Sequence, residues 1–400
     1  MSFNLAPFTF DLSLLTFLIL PYTFDLCPLT CLGTAMSIVY LMEQNATVSK
    51  EGGRLLVKKE GVVSHSIHLF KLDQVVLFGN IFLTPAAIRY LLKEGIDTAF
   101  MTRQGRYLGR LQSALGKNIV LRREQFRKME DEGFCVKTAR SIVKGKLSNL
   151  RTVLMRLNRQ RENLELDNEI LSLRNLIPKV DEASSLDTLR GYEGKGSAVY
   201  FEGFSKGFLA EDLEFPGRVR RPPTDPINAL LSLGYTLLLN QVIAAVSLVG
   251  FDPYFGSLHS VDYGRPSLAL DLMEEWRPII VDTLVLSVFN LKALTSSDFE
   301  ERKSVSIETK SVKAADKGSE REEELTESSG SEGKDRLAVL LTESGFRKFI
   351  TQYERKMGQK VQYHLTEEHY TYRDCIREQV RHFARYLKGE EAEYHPMPLR

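Results

Sequence analysis

Short runs of alternating or β-branched residues dominate the chain from about residue 37 to residue 111. Segments with this β-strand pattern are SIVYL, ATVSK, RLLVKK, SIHLF, VVLF and DTAFMT. Within residues 54–70, two such runs flank Lys59, Glu60 and Gly61, which predicts a hairpin with its bend at these three residues.

One helical pattern interrupts these strands, at residues 84–95. Thr84 is a suitable N-cap, Pro85 fits the first helical position, and Gly95 marks the C-terminal stop. We therefore expect residues 36–112 to form a small N-terminal β-rich domain that contains a single helix.

From about residue 117 onward, apolar residues recur with the period of an α-helix. The predicted helices include 141–169, 225–249, 267–294 and 366–389. The second of these is too apolar for a surface helix, and Pro278 predicts a kink in the third. The predicted fold class is α+β and multidomain, with a larger all-α domain at residues 117–400 after the β-rich domain.

Two segments do not fit this organisation. We expect residues 296–335 to be a disordered, solvated insertion, because 300–335 carries 11 acidic and seven basic residues and no aromatic one. Residues 1–35 contain no basic residue, and their apolar run is too short for a membrane span. We expect them to be a disordered or non-native extension before Met36; a membrane tether is the alternative.

The overall composition is that of a globular protein, with 43% hydrophobic residues, 26% charged residues and a net charge of +1. Four cysteines in 400 residues are too few for a disulfide scaffold, and their spacing contains no CxxC motif. This pattern favours a reduced, intracellular protein without a zinc-thiolate site.

Positive charge is concentrated between residues 101 and 161, where 16 Lys and Arg residues accompany four acids. Such a stripe is typical of a protein that binds a phosphate backbone, although acids from elsewhere in the fold could equally neutralise it. A second basic patch lies in the proline-bounded loop PGRVRRPPTDP. The candidates for DNA contact are the three arginines of this loop, Arg218, Arg220 and Arg221, together with Lys195 and Arg265.

Three separated segments carry residue types that suit a metal-dependent active site. Glu193 lies between two glycines just before a helical pattern, and His259 lies in a loop rich in glycine and proline. Asp271 and Glu274 are three positions apart, so they share one helix face and repel each other unless a cation is present. Two carboxylates and an imidazole are suitable ligands for Mn²⁺ or Mg²⁺.

Each of these residues also has an ordinary structural role open to it. Glu193 fits a solvated turn, and a single loop histidine is often a capping residue. The acids of the helix could face water or pair with Arg277, and Glu275 adds a third acid beside them. On spacing alone, the metal site is one interpretation among several.

Several segments resemble one known family, the CRISPR-associated integrase that serves as the universal endonuclease subunit of spacer acquisition. The similar passages are VSKEGGRLLV, FGNIFLTPAAI, LRGYEG, RRPPTDPINALLSLGYTLL, GSLHSVDYGRPSLALDLMEEWRP and RDCIREQVRHFARYLKGE. They run in the family's order from about Met36 to the C-terminus. The resemblance implies an N-terminal β-domain, a helical catalytic domain and a homodimer.

The resemblance also implies a divalent cation, Mg²⁺ or Mn²⁺, held by Glu193, His259 and Glu274, with Asp271 beside them as a further catalytic residue. Some family members have Asp where this sequence has Glu274. The third ligand could therefore be Asp271, Glu274 or Glu275.

The implied reaction is insertion of a short DNA segment into a CRISPR repeat array, by attack of its 3′-hydroxyl on a phosphodiester; water in its place gives nicking. The implied partners are double-stranded DNA (spacer precursor and repeat array) and a small second adaptation subunit, with no membrane and a cytoplasmic location. The alternative function is that of a non-catalytic helical DNA-binding scaffold protein, in which the acids are only solvated residues on a helix surface.

Overall fold

A computed structural model describes residues 37–68, 72–112, 118–210, 212–219, 222–303 and 337–400. Within these ranges a β-rich N-terminal part precedes a mostly helical part, which confirms the predicted fold class. The expectation for residues 1–35 falls outside the described residues, and so do Arg220 and Arg221 of the second basic patch.

The described N-terminal part contains eight strands in two four-stranded sheets. In chain order they are β1 (Ser37–Leu41), β2 (Thr47–Glu51), β3 (Arg54–Lys59), β4 (Val62–His68), β5 (Leu72–Phe78), β6 (Phe82–Leu83), β7 (Asp97–Met101) and β8 (Tyr107–Leu111). One sheet has the order β4-β3-β2-β6 and the other has the order β1-β5-β7-β8. Strands β1, β5 and β7 run parallel, and β8 is antiparallel to β7.

The predicted hairpin and the predicted helix are both present. Strands β3 and β4 pair antiparallel on either side of Glu60–Gly61, where both residues have positive φ angles. Helix α1 (Pro85–Glu94) follows the N-cap Thr84 and ends at Gly95, which has a φ of 69°. Glycine adopts this left-handed conformation without a steric penalty, so the helix ends where the sequence predicts.

Strand β5 lies between two hydrophobic cores. Val75 and Leu77 belong to the core of the N-terminal part, together with Leu91 of α1. Val76 and Phe78 belong to the much larger core of the helical part. Because successive side chains of a strand point to opposite faces, this one strand contributes to both cores and joins the two parts.

The helical part is built from nine further described helices. They are α2 (Ile119–Met129), α3 (Glu132–Gln160), α4 (Asp167–Glu182), α5 (Leu186–Ser205), α6 (Pro226–Val249), α7 (Ser267–Met273), α8 (Thr283–Asn290), α9 (Glu343–Met357) and α10 (Tyr372–Lys388). Helix α3 packs against α4 and α5, and α6 packs against α7 and α10. The candidate chemistry lies on α5, on α7 and in the loop before α7.

Two predicted helix boundaries differ from the structure. The pattern at 141–169 belongs to two helices, since α3 begins earlier, at the N-cap Asp131, and ends before Glu165, which has a φ of 49°. The C-terminal helix begins only at Tyr372, because the preceding residues pair as a strand, and it ends at Gly389 as predicted. Periodicity alone does not reveal where a chain reverses direction or pairs with a strand.

Pro278, where the sequence predicts a kink, lies in an irregular part of the helical segment. Helix α7 ends before Glu274, and a π-helical segment, Arg277–Asp282, carries the proline into α8. Proline has no backbone N–H to donate, so regular α-helical hydrogen bonding is interrupted there.

The helical part also contains two small antiparallel pairs. They are β9 (Phe299–Lys303) with β10 (Leu337–Leu341), and β11 (Lys360–Gln362) with β12 (His369–Thr371). The first pair corrects the expected start of the insertion, because Ser296–Lys303 forms a 3₁₀ turn and a strand anchored by Phe299 against Phe289. The remainder of that expectation concerns residues outside the described ranges.

Helix α6 is long and apolar enough to span a membrane by length and composition. In the structure, 67% of its most apolar window is buried inside the protein. It begins after the N-cap Asp225 with a proline at the first position and ends at Gly250, which has a φ of 105°. These are the positions that the sequence predicts, and the apolar composition reflects burial in the core.

Candidate active site

Side chains from four elements meet at one place in the helical part. Glu193 lies on α5, Glu274 directly follows α7, His259 lies in the loop before α7, and Lys146 lies on α3. The Lys146 ammonium contacts Glu193 Oε1 and lies 2.5 Å from Glu274 Oε2. His259 Nε2 lies 3.8 Å from Glu274 Oε1, so Glu274 contacts His259 and also shares Lys146 with Glu193.

Glu193 lies inside a helix and not in a turn before one, which corrects its expected local structure. Helix α5 begins at the N-cap Ser185, eight residues before Glu193. A Cβ on Gly196 would lie 2.1 Å from Leu147 Cδ2 of α3, so the two helices approach closely at this glycine. This close approach places Glu193 against Lys146.

The loop before α7 is folded around the carboxylate of Asp271, which is completely buried. Asp271 accepts hydrogen bonds from the backbone N–H groups of Ser257, Leu258 and His259, at 2.6, 2.9 and 2.9 Å. Gly256 passes so close that a Cβ there would lie 2.6 Å from Asp271 Oδ2. The glycine-rich loop predicted from sequence is therefore needed for this backbone cradle.

The same carboxylate orients the histidine. Asp271 Oδ1 lies 2.7 Å from His259 Nδ1, so the other ring nitrogen, Nε2, faces Glu274. A carboxylate at Nδ1 favours the tautomer in which Nδ1 carries the proton and Nε2 has a free lone pair. Asp271 thus acts through His259 in this arrangement.

Glu274 is a buried carboxylate surrounded by positive charge. Its side chain is 4% exposed, and Arg277 Nε donates to Oε1 at 2.9 Å. Burial alone would raise the pKa of Glu274, but Arg277, Lys146 and His259 outweigh it and hold that pKa at about 2. Glu274 is therefore ionised across the physiological pH range.

Glu275, the third acid of the cluster, faces the opposite direction. Its carboxylate accepts hydrogen bonds from the Tyr394 hydroxyl, the backbone N–H of Met397 and the Gln379 amide. Burial raises the pKa of Glu275 to about 8 in spite of these donors. In this position Glu275 anchors the C-terminal segment through Tyr394 and Met397.

Lys146 was not among the candidates named from the sequence. It is 6% exposed as a residue, and Glu274 and Glu193 raise its pKa although burial opposes the charged form. The sequence contains a pattern that could have identified it. Val143, Leu147 and Leu150 form the buried face of α3, and Lys146 lies on that face. A lysine on a buried helix face needs acidic partners from elsewhere.

Tyr235, also not among the residues named from the sequence, supports Arg277. Arg277 itself is the partner that the sequence suggested for the acids of the helix. Its guanidinium lies over the ring of Tyr235, 4.6 Å from the ring centroid. The Tyr235 hydroxyl donates to the buried carboxylate of Asp282 at 2.6 Å. Burial raises the pKa of Asp282 to about 6, against the hydrogen bond from Tyr235.

The predicted DNA-contacting residues have different surroundings. Lys195 is exposed on α5, and Arg265 is partly exposed and donates to Ser260 Oγ at 3.0 Å. Arg218 is held inside its loop, since its guanidinium donates to Asn228 Oδ1 at 2.7 Å and lies over Tyr235.

Part of the basic stripe at residues 101–161 is neutralised within the fold. Arg110 pairs with Asp97, Lys144 pairs with Asp181, and Lys146 pairs with two glutamates. Other members of the stripe are exposed, among them Arg103, Arg106, Arg123, Lys137 and Arg159. The surface charge available to a polyanion is smaller than the sequence count suggests.

The donor set of the site suits a divalent cation, although the described residues contain no ready-made cluster of three acidic, His or Cys ligands. Glu193, Glu274 and a neutral imidazole nitrogen provide the oxygen and nitrogen donors that Mg²⁺ and Mn²⁺ accept. Glu274 Oε2 is buried and, among the described residues, accepts no hydrogen bond of normal geometry, so its contact with Lys146 is ionic. A cation is already present between the acids, in the form of an ammonium.

Comparison with known proteins gives a consistent result. The family pattern described as "CRISPR associated protein Cas1" matches residues 39–316 of this chain. The chain is 32% identical over 370 residues to the "CRISPR-associated endonuclease Cas1 3" of Thermus thermophilus, and the match covers 92% of this chain and 99% of that protein.

Solved structures share the fold. A casposase bound to an integration product has a TM-score of 0.73 and 22% identity, with 90% of this chain and 93% of that chain covered. A chain of a Cas6-RT-Cas1–Cas2 complex has a TM-score of 0.72 and 24% identity, with 91% of this chain but only 36% of that longer chain covered. At these identities the likeness concerns the fold alone.

Proposed function

This chain belongs to the Cas1 family of CRISPR-associated endonucleases, and we propose that its active centre is formed by Glu193, His259 and Glu274 holding one Mg²⁺ or Mn²⁺ ion. The enzyme is a DNA endonuclease and integrase that inserts spacers into a CRISPR repeat array. The observation that carries the assignment of the centre is the set of contacts that links these residues: Glu193 and Glu274 share Lys146, and Glu274 lies beside His259.

The reaction is a phosphoryl transfer. The 3′-hydroxyl of the incoming DNA attacks a phosphodiester of the repeat, a new P–O bond forms, and the old 3′-oxygen leaves with a proton; water as the attacking group gives nicking. When bound, the divalent cation polarises the phosphoryl oxygen and favours the ionised nucleophile.

The protein groups prepare the centre for that ion. Glu193 and Glu274 provide negative charge, and the low pKa of Glu274, to which Arg277 and Lys146 contribute against the effect of burial, keeps it ionised. Asp271 holds the His259 ring through Nδ1, so Nε2 is the nitrogen offered as a ligand. We assign Asp271 the role of a positioning residue and not that of the third ligand.

We propose that Lys195 and Arg265 contact DNA phosphates beside the centre, because both lie close in sequence to its ligands and are at least partly exposed. Phosphate contacts release counterions, so binding should weaken steeply with salt. In Lys195→Ala or Arg265→Ala the slope of log affinity against log salt concentration should fall by about one. An unchanged slope removes that residue from the DNA interface.

We further propose the assembly implied by the family resemblance, a homodimer that acts on double-stranded DNA with a small second subunit in the cytoplasm. One structural relative was solved within a complex that contains Cas2. Arg218, Arg220 and Arg221 remain proposed DNA contacts of the same assembly, although Arg218 also has hydrogen-bond partners within its own loop.

The test is strand transfer of a short duplex into a plasmid that carries a repeat, with Mn²⁺ or with a chelator. Product should require the cation and a 3′-hydroxyl, and a 3′-deoxy duplex should give none. His259→Ala should abolish product, whereas His369→Ala, which changes an exposed histidine of β12, should retain it. Undiminished product from His259→Ala would remove this histidine from the active centre, and absence of cation-dependent product from the parent protein would favour the non-catalytic scaffold.

A further inference from the structure

The most unusual feature of the site is an ammonium buried between the two carboxylates. The Lys146 side chain is 8% exposed, and its nitrogen contacts Glu193 and Glu274 at once. A lysine that merely completed the packing of α3 would need only one acidic partner. This one bridges two acids that come from different elements and are themselves proposed as ligands.

The two acids that contact Lys146 already have two basic partners. Lys146 and Arg277 carry two positive charges, and Glu193 and Glu274 carry two negative charges. Introducing a dication beside the ammonium would place like charges a few ångströms apart in a poorly solvated site, which is strongly unfavourable. The ammonium and the dication therefore exclude each other from the space between the acids.

We propose that Lys146 is a built-in counter-ion that occupies the cation position of the metal-free site and is displaced when the divalent cation binds. This inference rests on the proposed function and adds a determinant of metal affinity to it. The lysine holds the two acids close together in the absence of metal, and it lowers the affinity for metal because its ion pairs must first be broken.

Lysine is suited to this role and arginine is not. Its ammonium is a compact point charge on a flexible four-carbon stem, so it can leave the acids by rotation of its own side chain. Arg277, by contrast, is held by the ring of Tyr235 and by Glu274.

The direct test is calorimetric titration of the full-length protein with Mn²⁺ alone, without DNA. Lys146→Met removes the charge and keeps the length of the side chain, and it should bind Mn²⁺ at least about tenfold more tightly than the parent protein. Lys144→Met is the matched control: it lies on the same helix, pairs with Asp181 at 2.7 Å and is half exposed. Its affinity for Mn²⁺ should not change.

A second variant, Lys146→Gln, keeps the test valid if Lys146→Met does not fold. Lys146→Gln keeps a hydrogen-bond donor for the acids without the charge, and it should also bind Mn²⁺ more tightly than the parent. In thermal denaturation without metal, both Lys146 variants should melt below the parent, because two acids are left with less compensation. Added Mn²⁺ should raise their melting temperatures by more than it raises that of the parent.

The outcomes separate this inference from the proposed function. Equal or weaker Mn²⁺ affinity in both Lys146 variants, with binding by the parent intact, overturns the counter-ion role and leaves the metal centre standing. Absence of Mn²⁺ binding from the parent and both variants overturns both. Tighter binding by the variants that disappears when Glu274→Gln is added supports both.

Discussion

Two adjacent glutamates show how surroundings, and not sequence position, decide the role of an acid. Glu274 and Glu275 are both buried, at 3% and 2% exposure. Glu274 lies among Lys146, Arg277 and His259, and its pKa is held at about 2. Glu275 lies among the neutral donors Tyr394, Gln379 and the backbone of Met397, and burial raises its pKa to about 8.

The difference lies in the side of the chain to which each carboxylate is directed. Glu274 is directed towards Lys146 of α3, Arg277 and His259, and the Lys146 ammonium separates it from Glu193 of α5. Glu275 is directed towards the C-terminal segment, where an acceptor is needed to hold Tyr394 and Met397 in place. One region is arranged for charge, and the other for packing.

The largest expected effect is the difference in strand-transfer rate between two variants in which one of these acids is replaced by its amide. Glu274→Gln should reduce strand transfer at least about a hundredfold, because it removes a proposed ligand of the cation, and a bound cation contributes several kcal/mol to transition-state stabilisation. Glu275→Gln should leave the rate within about threefold under the same metal and pH. The two initial rates, measured side by side, check this; equal losses would contradict the division of roles.

The next effect concerns the residue behind the histidine. Asp271→Asn retains the size of the side chain but no longer offers a charged acceptor to His259 Nδ1 and three backbone N–H groups. We expect Mn²⁺ affinity to fall by roughly ten- to a hundredfold, the usual result of losing such a supporting contact. Complete loss of binding that persists at millimolar Mn²⁺, with the fold intact by circular dichroism, would instead identify Asp271 as a ligand.

The predictability of these roles from sequence was uneven, and the reasons are physical. Thr84, Gly95, Asp225 and Gly389 mark helix ends because capping is local chemistry between near neighbours. The grouping of Glu193, His259 and Glu274 followed from a resemblance, since spacing alone left several alternatives open.

The direction of each acid could not be predicted from the sequence. Asp271, Glu274 and Glu275 occupy one short segment, and many of their partners lie from 12 to more than 120 positions away. Lys146 was counted in a basic stripe, although it is buried against two acids that only the tertiary fold supplies. Long-range pairing of this kind leaves no local pattern.

A third prediction uses the pKa of Glu275. The pKa of Glu275 is raised in the folded protein, so the folded state keeps a proton that the unfolded chain releases near pH 4.5. The resulting stabilisation of the folded state is present in acid and is lost as the pH rises through about 8. The melting temperature of the parent should therefore fall relative to that of Glu275→Gln between pH 5 and pH 8.5. A constant difference between the two curves would mean that Glu275 is ionised throughout.

The smallest effect should come from the support of Arg277. Tyr235→Phe removes the hydroxyl that donates to Asp282 and keeps the ring beneath the guanidinium. Loss of one such hydrogen bond corresponds to about 1 kcal/mol, so strand transfer should fall by roughly three- to tenfold. Tyr235→Leu, which removes the ring as well, should lose more; equal activity in the two variants would show that the ring gives no support.

The most direct test of the metal centre is the anomalous scattering of Mn²⁺ bound to crystals of the full chain. The account predicts one dominant peak at coordination distance, about 2.0–2.4 Å, from carboxylate oxygens of Glu193 and Glu274 and from His259 Nε2. Glu275 should remain bonded to Tyr394 and Met397. A dominant peak on Asp271 or Glu275, or one that does not touch His259, would contradict it.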